Sequence, residues 1–418
     1  MKILTLEELF TFACLNSPFY KNQFKNFSLK DWKSIPPIVQ EEFWEKNTWQ
    51  NNQVLTGPIQ DGIVFKSGGT TGKAKFSIFT QDEWNLFTKE FGIGMAKGGL
   101  KQGERVANLF YAGDLYASFL FIMKSMENAP VNPLHFPIGG AVEAEQILKT
   151  IHDYGIETIA GVPTTLLSLT SYMEEKSESN PKIKRILFGG ESMYADQRKT
   201  LQAIFPKATI QSIGYASVDA GQLGYVGENF APDIHSSFGT STIFELYDPD
   251  TKEYIEETGR VGKVIFTNLS RKLMPIIKYP AGDIAEWIDP PGTKDRRFIL
   301  KGRAEEGARV GPTTLYYEDI QKVLENFSST IGSFQFQLII THHELKDELE
   351  IRIHASNHEA KKNENEILVY LYQSRPMLID MVQESKIHMP RFSWVKADEL
   401  MRNTRTGKLR RIIDERFN

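Results

Sequence analysis

Cysteine is almost missing from this sequence: Cys14 is the only one in 418 residues. That excludes an intramolecular disulfide and a cysteine-rich zinc site, and it fits a reducing cytoplasm. Long apolar runs are missing too, since no uncharged stretch approaches the roughly 18 residues a membrane span needs. The opening residues, Met1-Lys2-Ile3-Leu4-Thr5-Leu6-Glu7-Glu8-Leu9-Phe10, set acids inside an apolar pattern, which reads as a helix rather than a signal peptide. Charge of one sign is scarce as well. The formal net charge is -4, with cations and acids interspersed, so no global field draws the chain to nucleic acid or to a membrane surface. Internal repeats and low-complexity segments are absent. What remains, 41% hydrophobic and 24% charged residues, is the composition of an ordinary globular chain long enough for two or three domains.

Strand and helix patterns alternate through the middle. Residues Ala141 to Tyr154 carry apolar residues at helical spacing (Ile147, Leu148, Ile151) and end on Gly155, a natural C-terminal cap. A strand at Ile156–Ala160, a turn at Gly161–Thr164 and a leucine-rich helix follow; strands at Ile183–Phe188 and Thr209–Ile213 close on Gly189-Gly190-Glu191 and Gly214-Tyr215. Repeated strand–loop–helix units predict a parallel sheet with helices on its faces and ligands at the loops after the strands. From Glu228 to Trp287, turn signals and alternating runs predict a smaller antiparallel sheet. Lys301-Gly302-Arg303 reads as a boundary, giving a large domain over 1–302 and a small mobile α+β domain over 303–418.

The segment with the densest chemistry is Ser67-Gly68-Gly69-Thr70-Thr71-Gly72-Lys73-Ala74-Lys75, with three glycines, three hydroxyls and two lysines in nine residues. Glycines admit an anion to the backbone N–H groups, hydroxyls donate further hydrogen bonds, and ammonium groups supply the charge that polyphosphate requires. It is not a Walker A loop. One residue is missing before Gly72-Lys73, Ala74 replaces the metal-binding hydroxyl, and Lys75 to Thr80 alternates like a strand instead of opening a helix.

Read in order, Ser67–Lys73, Gly189-Gly190-Glu191-Ser192, Gly214-Tyr215-Ala216-Ser217-Val218-Asp219, Tyr279-Pro280-Ala281-Gly282-Asp283, Gly302-Arg303 and Arg405-Thr406-Gly407-Lys408 resemble the adenylate-forming superfamily. The run Thr267 to Tyr279 and the compact length are most similar to its phenylacetate-CoA ligase branch. The resemblance implies an α/β fold: a large N-terminal domain with doubly wound sheets and a barrel-like antiparallel sheet, and a small C-terminal lid. It further implies ATP and Mg²⁺ as cofactors, and activation of a carboxylic acid to an acyl-adenylate with loss of pyrophosphate. Transfer to CoA, a carrier-protein thiol or an amine would follow. By that resemblance Ser67, Thr70, Thr71 and Lys73 hold the phosphates, and Gly190, Glu191, Gly214 and Tyr215 flank adenine. Asp283 and Arg303 meet the ribose. Lys408 bridges the substrate carboxylate and the α-phosphate.

Three positions depart from the family pattern. Asp219 stands where glutamate is usual, so its shorter carboxylate reaches the metal directly or through water. Pro280-Ala281 replace Arg-Thr before the ribose acid. At the hinge, Gly302-Arg303-Ala304-Glu305-Glu306-Gly307 replaces Gly-Arg-x-Asp-Asp; Glu305 keeps an acid at the pivot, and the altered loop bears on the second half-reaction. For the acyl pocket the candidates are Tyr111, Asp114, Tyr116, Phe136 and Gly189, a flat slot for an aromatic acid. Asp114 is either an acid for a substrate ammonium or a surface or capping residue. His135 reads as structural. The competing function is a nucleotide-binding protein that kept the fold while its hinge and cofactor residues drifted; a homodimer is left open.

Overall fold

The computed structural model describes residues 2–66, 75–176, 182–191, 193–231, 233–249, 251–303, 308–315, 317–332, 334–355, 357, 360–401 and 409–416, the side chains of 303, 314, 318 and 360 aside. Two compact units emerge, one from Met1–Ser67 and Lys75–Lys301 and one from Gly302 to Asn418.

In the large unit the predicted alternation becomes a five-stranded parallel sheet. Its strands lie in the order Leu134–Pro137, Arg105–Asn108, Thr158–Gly161, Arg185–Phe188 and Thr209–Ser212. Alternation along each strand sends side chains to opposite faces. Ala107, Ile159, Ile186 and Phe188 join one core with the helices Ala144–Asp153, Pro163–Glu175 and Ala195–Ile204, while Val106, Ala160 and Leu187 join another with Phe91, Met95 and Ile122. Chain order reverses beside Arg105–Asn108, so the sheet has a switch point, and its carboxyl ends open at the loops after Asn108, Gly161, Phe188 and Ser212.

The antiparallel sheet has eight strands and is the larger of the two, not the smaller. Tyr215–Ser217 and Gly221–Tyr225 enter it ahead of Glu228, and Arg297–Arg303 enters beyond Trp287. The helices Leu6–Asn16, Pro18–Gln23 and Gln40–Lys46 pack on this sheet through Leu9, Phe10, Phe19, Tyr20, Phe43 and Trp44. The first starts at Thr5, whose hydroxyl accepts from Glu8 N (3.1 Å) while Glu8 Oε2 accepts from Thr5 N (2.7 Å). This reciprocal cap fixes the helix that the opening residues predict. A separate hairpin pairs Ile63–Lys66 with Phe76–Phe79.

In the small unit, strands Arg391–Trp394, Lys346–Ala355, Phe334–His343 and Ile412–Asp414 form one sheet in that order. The helices Tyr317–Glu325, Glu364–Ser374 and Pro376–Gln383 cover a core of Leu338, Ile340, Ile351, Ile353 and Leu371. Among the described residues no helix is long and apolar enough to cross a membrane.

Candidate functional site

The predicted site residues that the structure describes collect at the carboxyl ends of the parallel sheet and on the neighbouring antiparallel strands. Gly189 follows Phe188 so closely that a Cβ there would meet Ile213 Cγ2 at 2.7 Å, and Gly190 takes φ +80°. Such a turn needs glycine at both places. It presents Glu191, whose Oε2 accepts from the Thr164 amide (3.2 Å) and hydroxyl (2.5 Å), joining the loops after two successive strands. Gly214 takes φ +132° with Phe91 Cζ 2.7 Å from where its Cβ would stand, and the next residue is Tyr215.

Tyr215 and Asp283, 68 residues apart, are hydrogen-bonded, the hydroxyl donating to Oδ2. Asp283 follows Gly282 (φ +81°) within the long strand Ile276–Trp287, and Arg303 ends the strand beside it. Behind Tyr215 sits His235, 4% exposed and stacked on Phe298 at 5.7 Å. Its Nδ1 lies 3.1 Å from the Asp233 carbonyl and its Nε2 3.2 Å from Ser212 Oγ. A carbonyl only accepts, so Nδ1 carries the proton and Ser212 donates to Nε2. Ser212 Oγ in turn accepts from Gly214 N (3.1 Å), fixing the bend into Tyr215. Burial depresses the imidazole pKa to about 4, which keeps the ring neutral.

The half-buried Asp219 accepts at Oδ2 from the Tyr279 hydroxyl (3.2 Å), itself held by Gln40 Nε2 (2.9 Å) and Trp44 Nε1 (3.1 Å) from the N-terminal helices. The Asp219 carbonyl accepts from Arg271 Nη1 at 3.3 Å. Arg271 is fully buried. Its Nη2 donates to the Ile78 carbonyl (2.7 Å) and Ser77 Oγ (3.3 Å), and the guanidinium lies 3.7 Å over the Phe79 ring. Burial lowers its pKa to about 10, opposed by Glu83, Asp219 and Tyr20, so it stays charged near neutrality. Glu83 has 1% exposure; its Oε1 accepts from the amides of Lys272 (2.6 Å) and Leu273 (2.7 Å), while Oε2 accepts from Thr80 N (3.0 Å). Arg271 and Glu83 thus tie the strand Phe76–Phe79, the first described element after the glycine-rich segment, to Asp219. Nothing in the motif series names these two residues or His235.

The pocket candidates divide. Tyr111 bonds Thr165 Oγ1 at 2.9 Å and packs, with Phe110 and Ile213 beside Gly189, into one apolar cluster. Phe136 packs into the other cluster, its ring 5.5 Å from Tyr154. Tyr116 is 40% exposed. Asp114 sits at φ +42° with its side chain 87% exposed, and Lys66 Nζ reaches its two oxygens at 3.0 and 3.1 Å. Burial lowers the pKa of the half-buried His135. Ser67, Thr70, Thr71, Lys73, Glu305, Lys408 and the Arg303 side chain lie outside the described residues.

A single half-buried carboxylate such as Asp219 fits Mg²⁺, which takes one or two protein oxygens and completes its shell with phosphate and water. The facing pair Tyr215 and Asp283 offers a ring face and a diol acceptor, the two functions a nucleoside needs.

No protein-family model matches the chain. It is 23% identical over 323 residues to a phenylacetate-coenzyme A ligase of Pseudomonas putida, spanning 72% of this chain and 70% of that one. A phenylacetate-coenzyme A ligase of Thermus thermophilus is 21% identical over 370 residues, 84% and 80% of the two chains. Among solved structures, 2-hydroxyisobutyryl-CoA ligase in complex with 2-HIB-AMP and CoA superposes with a TM-score of 0.75 at 17% identity, over 98% of this chain and 88% of that one. In sequence the chain is thus similar to phenylacetate-coenzyme A ligases, and in fold to 2-hydroxyisobutyryl-CoA ligase.

Proposed function

We propose that the protein activates an aromatic or related carboxylic acid with ATP and passes the acyl group to CoA. The observation that supports this most is that the strand Tyr215–Ser217 and the turn after it are hydrogen-bonded to the strand Ile276–Trp287 at both candidate acids, Tyr215 to Asp283 and Asp219 to Tyr279. In the first step a substrate carboxylate oxygen attacks the α-phosphorus and the bond to pyrophosphate breaks. In the second a thiolate sulfur attacks the acyl carbon and AMP departs.

Both reactants of the first step are anions, so the barrier falls when oriented donors and cations meet the charge developing at phosphorus. Tyr215 stacks on adenine, Asp283 accepts from the ribose hydroxyls, and Gly190 lets the base approach the backbone. Asp219 holds Mg²⁺, which supplies charge neutralisation on the phosphates when bound. Ser67, Thr70, Thr71 and Lys73 receive the terminal phosphates, and Lys408 brings a compact, flexible charge to the carboxylate and α-phosphate. The acyl group lies along Tyr111 and Gly189, where the apolar cluster reaches the sheet end. The large unit would supply the ATP and acyl sites and the unit from Gly302 onward the lid that carries Lys408.

Carboxylate-dependent exchange of pyrophosphate into ATP across a panel of aryl and aliphatic acids tests the reading. One acid is expected to stand out, and Lys408→Ala is expected to slow exchange about 10²- to 10³-fold, the effect of losing one preorganised charge-stabilising donor. Full exchange in that variant ends the role given to Lys408, and no exchange with any acid favours the drifted nucleotide binder. Incubating the formed adenylate with CoA, carrier-protein thiols or amines then identifies the acceptor.

A further inference from the structure

The geometry points to a second cation site, for a borderline divalent ion of the zinc class, on the small unit at His343, Glu344 and His388. One ligand atom from each of the three lies within 4.8 Å of the others. None of them enters the proposed reaction.

The backbone builds this cluster. Phe334–His343 and Lys346–Ala355 are joined by a two-residue turn, Glu344-Leu345, with His343 opposite Lys346 in the final register pair. Both turn residues take positive φ, +49° and +68°, the conformation that hairpins normally reserve for Asn-Gly. His388 arrives from the segment after the helix Pro376–Gln383, and its amide bonds the Asp347 carbonyl at 2.9 Å while Ile387 bridges to Asp347. Asp347 is itself gripped by Arg416 Nη1 (2.6 Å), His342 Nδ1 (2.8 Å) and the Gly311 amide (2.8 Å). The hairpin tip and the incoming segment are therefore held in fixed register.

Two rings then stack, with centroids 4.1 Å apart and planes at 17°. His388 Nε2 lies 3.0 Å from the His343 carbonyl, and His343 Nε2 lies 3.6 Å from Glu348 Oε2. Glu348 is engaged by Arg391 Nε at 3.0 Å, which keeps it in an outer position. A carbonyl only accepts, so His388 donates through Nε2 and keeps a bare lone pair on Nδ1, the arrangement by which outer partners orient metal-binding histidines. Two imidazoles and one carboxylate suit zinc, with a fourth position left for water or a partner's ligand, and disfavour magnesium, which wants oxygen. Ligands at about 2.0–2.2 Å from an ion sit at most about 4.4 Å apart, and the lone pairs of stacked rings run nearly parallel, so the two imidazoles turn out of their stack onto the ion and the exposed Glu344 side chain closes on it.

Equilibrium dialysis of the EDTA-stripped full chain against Zn²⁺, with millimolar Mg²⁺ present, tests this directly. One micromolar-range Zn²⁺ per chain is expected, lost in His343→Ala/His388→Ala and weakened about tenfold in Glu344→Gln. An unrelated exposed histidine variant, His152→Ala, is expected to bind as the parent does. Co²⁺ is expected to give the visible absorption of a four-coordinate site in the parent only. Unchanged stoichiometry and affinity in the double variant, or displacement of Zn²⁺ by Mg²⁺, overturns the proposal. Glu344→Gln leaves the histidine scaffold intact, so its weakened binding reads the site even if the double variant folds poorly.

Discussion

A buried guanidinium is costly unless its donors are engaged, and Arg271 uses Nη1 and Nη2, though not Nε, to hold two other elements in place. Its contacts to the carbonyls of Ile78 and Asp219 fix the strand after the glycine-rich segment against the acid proposed for the metal. A lysine offers one nitrogen in place of a fork, so Arg271→Lys is expected to keep the charge and lose the bridge. We expect exchange activity in Arg271→Lys to fall about tenfold or more, with a raised Mg²⁺ requirement and a smaller change in acid KM. Arg271→Met is expected to lose about 3 kcal/mol of stability in urea unfolding, because two carbonyls are left without a donor. Parent-like Mg²⁺ dependence in the lysine variant sinks the bridging role.

His235 makes a pH prediction. Its folded-state pKa of about 4 lies below the ordinary histidine value of 6.5. The unfolded chain therefore takes up a proton first as pH falls, and stability present above about pH 6.5 is lost progressively toward pH 4. The full loss is about 3 kcal/mol from this residue. Urea midpoints at pH 7.5 and pH 5 are expected to differ less in His235→Asn than in the parent, and an equal difference removes His235 as the cause.

At the scale of elements, one side chain does two tasks. Glu83 caps the helix Gln81–Lys97 through Thr80 and receives two buried amides from the turn at Lys272-Leu273. Losing a cap costs about 1 kcal/mol, and each orphaned buried amide adds about 1–3 kcal/mol. Glu83→Ala is thus expected to lose about 3 kcal/mol or more in denaturant, with Glu83→Gln recovering part; a loss below about 1 kcal/mol shows that water replaces the carboxylate.

The same elements show what a reader of sequence can see. The parallel strands were legible because short apolar runs such as Thr158–Gly161 and Arg185–Phe188 alternate with helical spacing and end on glycine. Gly221–Tyr225 was not, because Gly221-Gln222-Leu223-Gly224-Tyr225 has neither alternation nor β-branching. Its identity as a strand comes from its neighbours, with Phe298 Cζ 2.8 Å from where a Gly224 side chain would begin. Asp219 and Asp283 stand out as candidates because ordered motifs flag them. Arg271, Glu83 and His235 do not, since a lone charge in sequence looks like solvated surface. For Arg271 the one local signal was its place between Leu269 and the apolar run Leu273 to Ile277.

For the whole molecule, the N-terminal helices complete a core whose other half comes far later in the chain. Tyr20 donates to the Pro275 carbonyl at 2.7 Å, 255 residues away, and Gln40 and Trp44 reach Tyr279. During synthesis at roughly 5–20 residues per second, that greasy surface waits about 10 to 50 seconds for its partner strand to leave the ribosome. Nascent chains stalled before residue 275 should therefore recruit chaperones through Phe10, Phe19 and Phe43, and release them once the strand Ile276–Trp287 has emerged.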